Sequence, residues 1–133
     1  MKIKILKLSL SAVIGGFAMW VIGGLWHNLI LPLISSNAQA HHEGLAVTLA
    51  AYILLALLMG YIFLVSYANE KSVLIKGIKV GVIIGIIWVF PHGLSMAATH
   101  GDSITHEFAN GLYHIFEQGI GGIIIGAILG RLS

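Results

Sequence analysis

The chain has 133 residues, of which 58% are hydrophobic and only 9% charged; it carries a formal net charge of +2 and no cysteine. A charged fraction far below the roughly one quarter of a soluble domain excludes an ordinary water-soluble fold, and the length allows one domain, 1–133. The lack of cysteine excludes disulfides, thiolate metal sites and haem attached through thioethers.

Four apolar runs, each near the ~20 residues that cross a bilayer as a helix, are expected at about 10–32, 45–67, 78–99 and 108–130. "MKIKILK", the first run and Ala38-Gln39-Ala40 together imitate a signal peptide. The run is much longer than the ~7–15 residues of such a peptide's apolar region, and it contains His27 and Asn28, so it reads as a span that is kept. Pro32 suits its end. "SSNAQAHHEG" (35–44) then forms a short loop, "ANEKSVLIKGIK" (68–79) joins spans two and three, and "HGDSITHE" (100–107) joins three and four. Connections this short favour an up-down-up-down four-helix bundle.

Charge sets the expected orientation. Lys2, Lys4 and Lys7 precede the first span, Lys71, Lys76 and Lys79 lie between the second and third, and Arg131 follows the fourth. All seven fall on one side of a four-span arrangement, which puts both termini in the cytoplasm by the positive-inside rule and accounts for the basic balance without a nucleic-acid partner. The opposite loops hold His41, His42, Glu43, His100, Asp102, His106 and Glu107 but no Lys or Arg. The loop histidines 41, 42, 100 and 106 read as solvated, although His41-His42-Glu43 could bind a surface ion weakly, and the acidic, histidine-rich loops could gather cations from outside.

Within the third span, Pro91 should kink the helix just before His92. Gly77, Gly81 and Gly85, with Gly122, Gly126 and Gly130 in the fourth, are small-xxx-small repeats that let helix backbones approach closely, either helix three against helix four or one of them against a second subunit. "GLWHN" (24–28) and "IWVFPHG" (87–93) each set a Trp and then a His, and Tyr52 to Gly60 has the spacing of Tyr113 to Gly121, which is a faint duplication of a helical hairpin.

The polar residues inside the spans are the functional candidates. Counted along a 1.5 Å rise from the outer ends, His27 lies about 8 Å deep, His92 and His114 about 10 Å, and Glu117 about 15 Å. An ionised side chain near the bilayer centre costs at least ~2.5–3.5 kcal/mol, so Glu117 should face the interior and be neutral, paired or metal-bound. His114 and Glu117, at i and i+3, share one side of their helix.

Three readings follow. His27, His92 and His114, with Glu117 as fourth ligand or orienting partner, could hold zinc, copper or iron beneath an outward vestibule. Two of the three histidines could instead be axial ligands of a b-type haem given room by Gly23, Gly24, Gly93 or Gly111. Or the His–Glu pair satisfies itself and only joins helices, as in a scaffold subunit. Trp20, Trp26, Trp88, Tyr52, Tyr61 and Tyr113 read as packing or interfacial anchors. No phosphate-binding glycine loop, Gly-x-Ser-x-Gly elbow or His-Glu-x-x-His occurs, and "HIFE" (114–117) has only part of a metal-hydrolase spacing. A proton relay through Glu117 and the histidines is also open.

"GGLWHNLILP" closing span one, "GIKVGVIIGIIWVFP" in span three and "NGLYHIFEQGIGGIIIGAILG" in span four resemble a domain family of unknown function, made of small four-span bacterial membrane proteins. The resemblance implies the four-span fold and no activity. At the position of His27 that family commonly has an aromatic such as Tyr, so a site using His27 would belong to this protein and its close relatives. The expectation is therefore a four-helix protein of the bacterial inner membrane in a binding or accessory role, a homo-oligomer or a subunit of a larger membrane complex.

Overall fold

A computed structural model describes residues 2–34, 44–66, 69–101 and 103–130. The described chain is helical almost throughout: α1 (Lys2–Leu25), a π-helical segment (Trp26–Ile30), α2 (Leu31–Ile34), α3 (Leu45–Val65), α4 (Val73–His100) and α5 (Ile104–Gly130). Four stretches, Lys4–Leu33, Leu45–Val65, Val73–His100 and Ile104–Gly130, are long and apolar enough to cross a membrane. This is the build of an integral membrane protein. His41, His42, Glu43, Asp102 and Arg131 lie outside the described residues.

The first, third and fourth stretches extend past the expected spans, while α3 stops at Val65, short of the expected 67, because hydropathy marks apolar length whereas helix length is set by capping. Ser72 accepts the N–H of Ile75, so α4 begins at Val73, inside the segment expected to be a loop. Ser103 accepts the N–H of His106 in the same way, and the expected loop 100–107 shrinks to the few residues between His100 and Ile104. His106 and Glu107 are thus helical. α4 ends on Gly101 at φ 73°, the left-handed backbone that glycine adopts without a Cβ penalty.

Packing is uneven. α4 and α5 share by far the most extensive contact, α1 lies against α3 and α5, and α3 and α4 touch least. A Cβ on Gly77 would collide with the carbonyl of Gly122, and one on Gly81 with the carbonyl of Gln118. These glycines therefore bring the backbones of α4 and α5 into direct contact. Further along, Gly85 faces Ile115 and Gly93 faces Glu107, so the pairing order along α4 is the reverse of that along α5. Ala12, Met19, Ala56, Met59, Phe63, Val80, Ile125 and Leu129 form the buried core. Large apolar side chains such as Leu33, Val47, Trp88 and Phe116 point outward, as lipid-facing residues do.

Candidate functional site

Glu117 is fully buried, and each of its oxygens is occupied. Tyr52 of α3 donates its hydroxyl to Oε1 at 3.0 Å, and Tyr113, one turn earlier on α5, donates to the same oxygen at 3.3 Å. Oε2 lies 2.7 Å from Nδ1 of His114. Spacings of three and four residues put His114 and Tyr113 on the side of α5 that carries Glu117, so two of the three partners come from local helix geometry. The third needs α3, and it needs α1 to stand close: a Cβ on Gly23 would sit 2.6 Å from the Tyr52 hydroxyl and 2.8 Å from Glu117 Oε1. Gly23 is the position at which α1 covers the cluster.

The π-helical segment then sets the neighbouring rings. Pro32 has no N–H, and in a regular helix its ring would press on the carbonyl of Asn28; the wider turns of Trp26–Ile30 precede it and relieve that contact. The Asn28 side chain donates to the carbonyl of Gly24 at 2.8 Å. Within this segment Trp26 stacks on Tyr113 with ring centroids 4.2 Å apart and planes 2° from parallel, and its indole N–H donates to Asn110 Oδ1 at 3.2 Å. His27 comes to 5.7 Å, centroid to centroid, from His114.

His92 is exposed. With His114 it lines a cleft of about 920 Å³ between α3 on one wall and α4 and α5 on the other. The α3 wall is nearly all apolar, from Ala51 to Ile62, and α4 adds Trp88 and Pro91. α5 contributes only Glu107, Asn110, His114 and Gln118. Gln118 is 2% exposed, and its Oε1 has no hydrogen-bond partner.

Of the expected site residues, His27, His114 and Glu117 are gathered into one cluster, while His92 lies on the cleft. No group of three His, Asp or Glu side chains among the described residues is arranged to hold a metal ion. Glu117 spends both oxygens on protein donors, which limits what it offers an ion. Tyr52 and Tyr113, read from sequence as anchors, are hydrogen-bond donors to the buried carboxylate, and their shared spacing to Gly60 and Gly121 was the one sequence signal linking them. Gln118 and Asn110 carried no separate signal. No family model, curated protein or solved structure matches this chain.

Proposed function

We propose that this chain is a four-span integral membrane protein, up-down-up-down with both termini cytoplasmic, that binds a small amphiphilic molecule entering its α3–α4 cleft from the bilayer, in a binding or accessory role. The reversed pairing along α4 and α5 and the placement of every lysine support the topology, and the same build suits a bacterial inner membrane. The observation that carries the functional reading is Gln118. A buried carbonyl oxygen without a donor has given up hydration for nothing, and this one stands in the wall of a cleft whose size falls within the ~300–1,000 Å³ of small-molecule sites. A bound donor would supply the missing hydrogen bond.

Equilibrium binding of C12 probes to the purified protein in neutral-lipid nanodiscs tests this. Saturable binding is expected in wild type and its loss in Leu58→Trp, which fills the cleft. Uptake that never saturates and is the same in Leu58→Trp would mean simple partition into lipid and would end the proposal.

A second reading rests on the 5.7 Å approach of His27 to His114. A histidine held by a carboxylate through Nδ1 offers Nε2 to a metal, and His27 beside it offers a second imidazole for zinc, copper or iron, with water or another subunit completing the shell. Cobalt(II) titration should give ligand-field bands that His27→Ala abolishes; no bands in wild type removes this reading. A Soret band would instead favour haem b on two of His27, His92 and His114.

A further inference from the structure

We infer that the cleft selects an amphiphilic amine: a single apolar chain ending in a positively charged group that bears N–H donors. The inference rests on the amphiphile reading above and adds the chemistry of the head group.

Its basis is the polar line that α5 draws through a cleft whose other polar lining is Tyr52, Tyr61, Trp88 and His92. Glu107, Asn110, His114 and Gln118 follow one another at intervals of three, four and four residues, so they form one stripe along α5 about 16 Å long, and all four line the cleft. The stripe is rich in acceptors. Gln118 Oε1 is unpartnered at its buried end. Glu107 supplies a carboxylate at the other end; its nearest cationic neighbour is His106, and that contact is long, 3.9 Å, and charged only when the imidazole is protonated. Gly93 lets this carboxylate stand against α4, since a Cβ there would be 3.0 Å from Glu107 Oε2. Between them, His114 with Nδ1 engaged by Glu117 has Nε2 left, and Nε2 makes no hydrogen bond among the described residues. When Nδ1 carries the proton, Nε2 is an acceptor.

Charge points the same way. The lining holds no Lys or Arg, and Glu117 lies directly behind His114. An anionic head would meet Glu107 with no cation to offset it, and a neutral alcohol would satisfy one acceptor while leaving the carboxylate unpaired. A primary ammonium seated between His114 and Gln118, one turn apart on α5, can give an N–H to each, while its charge is attracted by Glu107 further along the stripe without contact. The apolar α3 wall, Leu54, Leu55, Leu58 and Ile62, accepts the chain.

The test compares four probes of equal chain length in neutral-lipid nanodiscs: dodecylamine, dodecyltrimethylammonium, dodecan-1-ol and dodecanoate. Dodecylamine should bind at least about 10-fold more tightly than the alcohol, with trimethylammonium between them because it has charge but no N–H, and dodecanoate should be weakest. Gln118→Leu removes an acceptor that either head can use and should weaken both dodecylamine, by about 10-fold, and dodecan-1-ol, whereas Glu107→Gln, which acts through charge alone, should weaken dodecylamine about 3-fold and leave dodecan-1-ol unchanged. Dodecan-1-ol binding is therefore the control that Glu107→Gln still folds with an open cleft. Equal affinity for all heads, still abolished by Leu58→Trp, would overturn the amine inference while keeping the cleft as a site for apolar chains. Dodecanoate binding as tightly as dodecylamine would also overturn it. Absence of saturable binding by any probe would remove the underlying reading.

Discussion

The first apolar stretch, in its π-helical segment, and α4 each carry a tryptophan followed by a histidine, and the two pairs meet opposite fates. Trp26 lies flat on Tyr113 and His27 sits beside His114, whereas Trp88 is 63% exposed and His92 faces the cleft. Similar residues at a similar depth therefore do not have the same role. The difference is made by what stands opposite. α1 meets α3 and α5 across glycines and closes over the buried carboxylate; α4 is held so tightly against α5 by Gly77 and Gly81 that its other flank is left apart from α3. The closed seam and the open cleft are two consequences of one packing choice.

The sharpest way to break that arrangement is at the α4–α5 seam. Gly81→Leu puts a side chain where only a hydrogen fits beside the Gln118 carbonyl, and it should destabilise the bundle by about 3 kcal/mol or more in equilibrium unfolding from mixed micelles. Gly24→Leu, at a glycine with nothing near its missing Cβ, should cost less than about 0.5 kcal/mol. Comparable losses for the two would mean the glycines do not set the seam.

Next in size is the buried carboxylate. Glu117→Leu leaves the Tyr52, Tyr113 and His114 donors without their acceptor; at about 0.6 kcal/mol for each such bond in a membrane bundle, the expected loss is about 2 kcal/mol. Glu117→Gln keeps an acceptor for the tyrosines and should lose about a third of that. The same unfolding assay reads both. If Gln and Leu cost equally, the tyrosine hydroxyls contribute nothing and the cluster is not the clasp between α1, α3 and α5.

The two tryptophans give the direct test of the comparison. Trp26→Ala removes a parallel stack and an indole hydrogen bond, an expected loss of about 1.5 kcal/mol. Trp88→Ala, on the open side, should change stability by less than about 0.5 kcal/mol. Reversal of that order in thermal unfolding would show that α4, not α1, closes the site.

How much of this could be read from residues alone divides along the same line. Helix length and the placement of charge give the apolar stretches, and the i, i+3 spacing gives the His114–Glu117 contact, because both are local. Rotation about the helix axis is not: a helix apolar all round has no polar face to say which side turns inward, so nothing marked His27 as facing the bundle and His92 as facing the cleft. The π-helical segment adds to this, since it shifts the register of Trp26 and His27 in a way no periodicity announces. Tyr52 and Gln118 gained their roles only from the neighbour opposite. The capping serines, by contrast, stood in plain view at 72 and 103, and weighing them would have carried the helices into the expected loops.

The smallest expected effect lies at the start of α4, where Glu70 of the preceding connection meets Lys79 in the second turn of the helix. Lys79 donates to Glu70 at 2.5 Å, and the N–H of Ser72 adds a longer bond, so Glu70 is held below its ordinary value of 4.5. A carboxylate depressed in the folded state stabilises it fully above its unfolded value, and that stabilisation fades as pH falls through the lower folded value. The pair is exposed to water and therefore screened. Lys79→Ala should accordingly leave a small stability difference from wild type at pH 7, a smaller one as pH drops below 4.5, and a reduced one at 1 M salt, where the screening length of about 3 Å is close to the contact distance of the pair. A difference that neither acid nor salt reduces would come from something other than this ion pair, and the connection before Val73 would then not be held by its charge.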